Sequence, residues 1–338
     1  MTTPTITINC RKIASQYGLT VNGKAKPLSS VYRRQAAYHV STEEQGDIII
    51  KPFHGNRTSR LTVLQQIRIM FSHIEELEAG QYPYLPRFLR TGSGKYWVLV
   101  RDRPFYIMEW IDGRELQGEE EYKWLGKALA SLHTFSHPEL QQSFSSTLNQ
   151  LRNYRNQHML FCRRLGRMKR QNNFRSHWIR QNGGLCLELV DEAERILAHP
   201  DIKELLAREK TSPATLIHGD ITWPNVKVRD GGVLLLDWDS MGIGSSYFEL
   251  AKALMNLTRY EPALVRSLLQ GYEEVKPLSP AERMLIWAIF SYPREVWIAA
   301  RKVDLHHDQG MLDLVRQTWE ARVKMIQWLE EWATLGSA

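Results

Sequence analysis

The first hundred residues show the hydrophobic patterns of short strands around one helix. Residues 47–53, DIIIKPF, form a β-branched run of the kind that a buried strand favours. Apolar side chains recur at spacings of three and four over residues 58–79, which predicts a helix; they are Leu61, Leu64, Ile67, Phe71, Ile74 and Leu77. Further strands are predicted over residues 96–101 and 105–111, on either side of the turn-forming segment 102–104.

After Asp112-Gly113 the pattern becomes helical. Residues 122–134, residues 187–206 and everything after Tyr247 are predicted to be helical. Residues 226–238 are the exception, because two short apolar runs flank the turn residues 229–232, which predicts a β-hairpin. The pattern therefore predicts an α+β protein with a strand-rich first part, a short connector, and a helix-rich second part with an embedded β-hairpin.

Composition and charge narrow the class of protein only a little. The three cysteines, Cys10, Cys162 and Cys186, are widely separated, so neither a disulfide framework nor a zinc site is indicated. No charged start leads into an apolar run at the N-terminus, and no uncharged apolar run approaches the roughly 20 residues of a membrane helix. We therefore expect a soluble, cytoplasmic protein without a membrane partner. The net charge of +7 favours anionic partners without choosing among them.

The strongest chemical signal is the segment LIHGDITWPNV at residues 216–226, followed by LLLD at residues 234–237. Phosphoryl transfer needs a group that orients and deprotonates the acceptor hydroxyl, and oxygen ligands that hold magnesium against the phosphates. An aspartate on a turn, an asparagine five residues later and a second aspartate after a neighbouring strand supply that set. Each residue alone is also a common turn former, so the prediction depends on the ordered set.

From this set we predict the role of each residue. Asp220 is the expected catalytic base, and Asn225 and Asp237 are the expected magnesium ligands. We expect His218 to brace the turn through hydrogen bonds rather than to act as an acid or base. Asp239 is a candidate for a further contact to metal or water.

The pattern HGDxxxxN, followed by a strand that ends in aspartate, resembles the aminoglycoside/choline phosphotransferase group, which is related to protein kinases. The segments YIMEWIDGRE at 106–115 and LASLH at 129–133 resemble the same group. The tail at 272–297 resembles a narrower, spore-coat-associated branch of CotS-like kinases. The resemblance covers roughly residues 30–305.

This resemblance implies a bilobal, protein-kinase-like fold. A β-rich N-lobe is expected over residues 1–108 and a hinge over residues 109–113. A helical C-lobe with the catalytic loop and the acceptor site is expected over residues 114–338.

The resemblance also implies ATP and Mg²⁺ as cofactors and gives roles to residues of the first lobe. Lys51 would pair with the α- and β-phosphates; the alternative is a lysine in water on an edge strand. Backbone groups of Met108, Glu109 and Ile111 would contact adenine; the alternative is an ordinary buried strand. Residues 29–33 would cover the phosphates, although they lack the glycine pattern of protein kinases.

Two departures from the family pattern stand out. A glutamate is expected on the first helix about fifteen residues after the lysine, but residues 64–67 read LQQI, and the first acids of this helix are Glu75, Glu76 and Glu78. In addition, Glu249-Leu250-Ala251 replaces the usual D-L-A. Because of the first departure, the sequence leaves open how fast the chain turns over a substrate.

Residues 141–187 contain no acid, and arginines and lysines alternate there with aromatic side chains. We call residues 152–180 of this segment the basic insert. It could bind nucleic acid, an anionic small molecule or an acidic protein. The alternative is a solvated helix face whose aromatic side chains pack inward. We predict that part of it attracts an anionic acceptor.

Three functions remain open, in decreasing order of support. The first is an ATP-dependent kinase acting on a hydroxyl of a small molecule. The second is a weakly active or inactive structural protein of the spore coat, with coat proteins as partners. The third, a nucleic-acid binder, is supported only by charge.

Overall fold

The computed structural model describes residues 9–29, 35–56, 59–137, 146–171, 174–211, 214–306 and 308–334. Its contacts divide the chain into two compact units. The first comprises Met1–Leu116 and Pro224–Gly242, and the second comprises Gln117–Trp223 and Ile243–Ala338. The lobe boundaries at residues 109–113 stay a prediction.

The first unit contains a five-stranded antiparallel sheet. Its strands are β1 Val21–Leu28, β2 Ala37–Thr42, β3 Gly46–Pro52, β4 Trp97–Val100 and β5 Arg103–Glu109, in the order β1-β2-β3-β5-β4. The predictions for β3, β4 and β5 are confirmed. Strands β1 and β2 and the short helix α1, Cys10–Ala14, were not predicted.

Strand alternation assigns the side chains of the central strands to opposite faces of this sheet. Ile48 and Ile50 of β3, and Phe105 and Ile107 of β5, lie in one hydrophobic core with α1. The residues that alternate with them along each strand, including Lys51, therefore face the other side.

Helix α2, Val63–Ala79, begins later than residue 58, so Leu61 precedes it and is exposed. The predicted apolar side chains from Ile67 to Leu77 are buried. Thr62 forms a capping box with Gln65, since the Thr62 hydroxyl accepts from the Gln65 N–H and the Gln65 side chain accepts from the Thr62 N–H. This pair satisfies free N–H groups at the helix start and fixes the first turn.

The predicted hairpin is confirmed as β8, Val226–Arg229, and β9, Gly232–Leu235. Asp230 and Gly231 have φ values of 52° and 78°. Two consecutive positive φ angles are the signature of a type I′ turn, which matches the twist of the strands.

The second unit is mainly helical. Its helices are α3 Glu119–Leu132, α4 Thr147–Gln171, α5 His177–Leu197, α6 Pro200–Glu209, α7 Ser246–Leu257, α8 Pro262–Val275, α9 Pro280–Ser291, α10 Arg294–His306 and α11 Gly310–Thr334. A small sheet of β6 Ser136–His137, β7 Ala214–Ile217 and β10 Gly242–Gly244 accompanies them in the order β10-β7-β6. No helix within the described ranges is long and apolar enough to cross a membrane.

The helical prediction for residues 187–206 is confirmed except for a break at residues 198 and 199 that was not predicted. Helix α5 ends at Leu197, and α6 begins at Pro200 after the N-cap His199. Pro200 cannot donate a backbone hydrogen bond, so it fits the first position of a helix and disrupts the interior of one.

Helices α3 and α8 approach closely at two glycines. A Cβ on Gly126 would lie 2.0 Å from the Leu268 carbonyl oxygen, and a Cβ on Gly271 would lie 2.0 Å from the Lys123 carbonyl oxygen. Both obstacles are backbone atoms, so a rotamer change cannot relieve them.

We therefore expect Gly271→Ala to lower the free energy of unfolding by about 1–3 kcal/mol, the range for overpacked interiors. Urea denaturation measures this. Gly184→Ala in α5 is the matched control, because no atom lies within 4 Å of its Cβ position. It should raise the free energy of unfolding by about 0.5–1 kcal/mol through helix propensity. Equal effects of the two substitutions would contradict the packing argument.

Candidate active site

In the first unit, the hairpin joins Asn225 to the segment that carries Asp237. Val226 pairs with Leu235, and the Leu236 N–H donates to the Asn225 carbonyl at 2.7 Å. The two expected magnesium ligands therefore stand at adjacent ends of one hairpin. A turn of only two residues fixes this register, so local sequence determines it.

Asp237 has a left-handed backbone, with φ of 64° and ψ of 62°. Aspartate tolerates this region better than most residues, but non-glycine residues there often mark functional positions. Its Oδ1 accepts from the Lys51 ammonium at 2.5 Å. Asp239, after one further residue, pairs with the same ammonium through Oδ2 at 3.1 Å.

Lys51 is buried, which removes the alternative of a lysine in water. Burial acts to lower the pKa of Lys51, but the carboxylates of Asp239 and Asp237 raise it above its ordinary value. The ammonium is thus held charged inside the unit.

Strand register explains how Asp239 is held. Tyr106 of β5 is the direct partner of Lys51 in the sheet, and its hydroxyl donates to Asp239 Oδ1 at 2.6 Å. Burial, and then the charges of Asp239 and Asp237, raise the pKa of Tyr106 well above its ordinary value, so the phenol stays protonated as a donor. This link was not predicted.

The acids of α2 make other contacts. Glu75 and Glu78 pair with Arg90, and Glu76 pairs with His73. Lys51 is instead paired with the carboxylates of Asp237 and Asp239.

The donor set of this region suits magnesium. The described residues contain no group of three or more His, Cys, Asp or Glu side chains that could hold a metal. Magnesium, however, keeps several waters and takes only one or two protein carboxylates beside substrate phosphates. Asp237 supplies a carboxylate whose side chain is 42% exposed, and Asn225 can supply an amide oxygen.

The expected connector is partly engaged in sheet contacts. Met108 pairs with Ile49, and the Glu109 N–H donates to the Arg87 carbonyl at 3.0 Å. The Glu109 carboxylate accepts from the Arg87 N–H at 2.8 Å and pairs with Arg229 at 3.4 Å. Among the backbone hydrogen bonds of the described residues, none uses the Ile111 N–H. Residues 30–33 of the expected phosphate-covering loop lie outside the described residues.

In the second unit, the expected catalytic loop, with His218, Gly219 and Asp220, directly follows β7. His218 is buried, and its Nδ1 accepts from the Asp220 N–H at 3.3 Å. Gly219 has a φ of 85°, a conformation that other residues rarely adopt. Asp220 is exposed.

Glu249 of α7 binds the backbone of this loop. Its carboxylate accepts from the N–H groups of His218 at 2.9 Å and Gly219 at 2.6 Å. Burial acts to raise the pKa of Glu249, but the hydrogen bonds that it accepts from His133 and from the loop N–H of Gly219 lower it below its ordinary value. The glutamate in place of the usual aspartate thus reaches the loop and stays ionised.

His133 completes this buried network. Its Nε2 lies 3.0 Å from Glu249 Oε2, and its Nδ1 lies 2.9 Å from the Tyr272 hydroxyl. Burial lowers the pKa of His133 despite the opposing effect of Glu249. A neutral imidazole that donates from Nε2 and accepts at Nδ1 satisfies all three groups. Sequence reasoning noted the segment LASLH but missed this role.

The basic insert contacts acids of the same chain. Arg155 forms two hydrogen bonds of 2.7 Å with Glu194, and Arg164 and Arg167 both pair with Asp304. Tyr154 is buried, as is Phe161. These pairs offset the like charges of α4, so they argue against the prediction that these arginines attract an anionic acceptor.

The comparisons with known proteins agree on the fold. A model of the phosphotransferase enzyme family matches residues 24–285. An aminoglycoside phosphotransferase from Alicyclobacillus acidocaldarius subsp. acidocaldarius DSM 446 is similar in structure, with a TM-score of 0.83, 15% identity and 98% of each chain covered. No curated protein matches the sequence.

Two ligand-bound structures are also similar. A spectinomycin phosphotransferase in complex with ADP and spectinomycin has a TM-score of 0.59 and 16% identity, with 93% of each chain covered. An amicoumacin kinase in complex with AMP-PNP, Ca²⁺ and Ami has a TM-score of 0.56 and 15% identity, with 90% of this chain and 88% of that chain covered. The predicted α+β, protein-kinase-like fold class is confirmed.

Proposed function

The chain belongs to the phosphotransferase enzyme family, and from that membership we propose that it transfers the γ-phosphoryl group of ATP to a hydroxyl of a small molecule. The observation that carries the proposal is the hairpin that brings Asn225 beside the segment holding Asp237 and its partner Lys51. A buried ammonium between two carboxylates suits a site for phosphates and a divalent cation.

Residues of the first unit would bind the nucleotide. Lys51 would contact the α- and β-phosphates, and Asn225 and Asp237 would hold Mg²⁺. Magnesium, when bound, would neutralise charge that develops on the phosphates. At the connector, we assign the contacts to adenine to the Ile111 N–H and the Met108 backbone. The Glu109 N–H is not assigned, because it already donates to the Arg87 carbonyl.

Asp220 of the second unit would act on the acceptor. Its carboxylate orients the hydroxyl and takes its proton as the acceptor oxygen forms a bond to the γ-phosphorus. The bond from that phosphorus to the bridging oxygen breaks, and ADP leaves with those electrons. His218 and Glu249 would keep the loop in place through the hydrogen bonds described above.

A small-molecule acceptor is supported by the similar structures, whose names include an aminoglycoside phosphotransferase, a spectinomycin phosphotransferase and an amicoumacin kinase. An anionic acceptor loses support from the ion pairs of Arg155, Arg164 and Arg167. The same ion pairs weaken the hypothesis that the basic insert binds nucleic acid.

The spore-coat role, its partners and the cytoplasmic or coat location stay predictions. The tail that suggested them includes Tyr272, Tyr292 and Trp297, which are all buried. Buried side chains contribute to packing rather than to a surface for coat proteins, so they do not favour a purely structural role.

Calorimetry with ATP tests the proposed function. We expect ATP to bind in the presence of Mg²⁺ and to bind much more weakly with EDTA. At a hundredfold excess over the dissociation constant, binding should stabilise the fold by about 2.7 kcal/mol, visible as a rise in Tm. No binding of ATP with Mg²⁺ would remove the kinase proposal and leave the structural alternative.

A further inference from the structure

We propose that Asp239 is the residue that positions Lys51 for ATP, in place of a glutamate on helix α2. The inference rests on the proposed function and assigns Asp239 a role other than the metal or water contact expected from sequence. Asp239 acts through Lys51, so it is a positioning residue.

The two carboxylates around Lys51 are unequal. The Asp237 side chain is 42% exposed, whereas that of Asp239 is 20% exposed. Asp239 is also held at both oxygens, since Oδ1 accepts from Tyr106 and Oδ2 pairs with Lys51. If Asp237 binds magnesium, Asp239 remains as the fixed carboxylate that keeps the Lys51 ammonium oriented.

The position of Tyr106 is itself fixed by packing. Its ring is buried and lies 5.6 Å from Phe71 of α2 and 5.9 Å from Phe88, measured between ring centroids. The packed ring therefore holds the hydroxyl where it donates to Asp239. Helix α2 supports the lysine through this aromatic contact rather than through an acid.

The acids of α2 do not compete for this role. Glu75 is 54% exposed and pairs with Arg90, as does Glu78. Glu76 pairs with His73 of the same helix.

The test is a double-mutant cycle on Mg–ATP affinity, measured by calorimetry. Asp239→Asn should weaken Mg–ATP binding by about tenfold or more, as expected when a residue that orients a ligand-binding group is lost. In a Lys51→Met background the same substitution should change affinity by less than about twofold, because the group through which it acts is gone. Glu75→Gln is the matched control and should bind like the wild type.

A second variant covers the case in which Asp239→Asn does not fold. Tyr106→Phe keeps the packed ring and the Lys51–Asp239 charges but removes the hydroxyl that fixes Asp239. It should weaken Mg–ATP binding about threefold, and this effect should also vanish in the Lys51→Met background.

Three results would overturn the inference. Wild-type affinity in both Asp239→Asn and Tyr106→Phe would do so, and so would a loss in Glu75→Gln equal to that in Asp239→Asn. Full additivity with Lys51→Met would show that Asp239 contacts the ligand or metal independently. If the wild type itself binds no Mg–ATP, the proposed function fails along with the inference.

Discussion

Asp220→Asn is expected to lower turnover by about 10²- to 10⁴-fold, the usual contribution of a positioned general base. Its Mg–ATP affinity should stay near that of the wild type, because a base acts on the acceptor rather than on the nucleotide. The loop should also keep its shape. Its hydrogen bonds use the Asp220 N–H and the backbone of His218 and Gly219, none of which the substitution removes.

The measurement is ADP release in a screen over hydroxyl-bearing metabolites, with Asp220→Asn run beside the wild type. Asp230→Asn is the matched control, since its carboxylate is 88% exposed in the hairpin turn. It should turn over like the wild type. Equal turnover of Asp220→Asn and the wild type on an accepted substrate would disprove the assignment of the base.

Local signals in the sequence were sufficient for the hairpin that carries the expected magnesium ligands. Asp230-Gly231 is a residue pair that favours the positive φ angles of a type I′ turn, and the apolar runs on either side of it form the two strands. Since a short turn fixes register, the adjacency of Asn225 and the Asp237 segment followed from sequence alone.

Strand β1 escaped prediction because it lacks a clear alternation, whereas β2 does alternate, with Tyr38, Val40 and Thr42 buried, so period-two patterning could have revealed it. Every residue of β1 is exposed or half-buried, and it includes Gly23 and Pro27. An edge strand of this kind buries no continuous apolar face, so period-two patterning does not reveal it. Its pairing with β2 depends on tertiary contacts.

The roles around Lys51 depend on contacts over long sequence separations. Tyr106 and Asp239 are 133 positions apart, and their meeting depends on the register of β5 against β3. Sequence reasoning therefore identified the missing glutamate correctly but could not find the carboxylate that pairs with the lysine. The segment LASLH was noticed, yet the link of His133 to Glu249 spans 116 positions and was equally out of reach.

The basic insert shows the same limit. Its lack of acids suggested an anionic ligand, but Asp304, which pairs with Arg167, lies 137 positions along the chain. A local charge run therefore says little until its neighbours in space are known. Like charges on one helix repel, and Glu194 and Asp304 offset part of that repulsion.

Asp237→Asn is expected to remove most of the magnesium dependence of ATP binding. Loss of residues that merely orient metal ligands commonly lowers affinity 10- to 100-fold, so loss of a direct ligand should weaken Mg–ATP binding by at least about tenfold. Asparagine keeps one oxygen donor but lacks the charge that a hard cation favours. The ratio of ATP affinities with Mg²⁺ and with EDTA, measured by calorimetry, should fall toward one.

The fold should survive this substitution, because Lys51 keeps Asp239 as a charged partner at 3.1 Å. A melting curve without nucleotide checks this point. Asp47→Asn on β3 is the matched control, since its 44% exposed carboxylate binds Ser41 and His39 rather than Lys51. If Asp237→Asn kept the wild-type ratio, or if Asp220→Asn lowered it equally, the division between metal ligand and base would be wrong. If only Asp237→Asn lowers the ratio of ATP affinities with Mg²⁺ and with EDTA, Asp237 is the metal ligand and Asp220 keeps its assignment as the base.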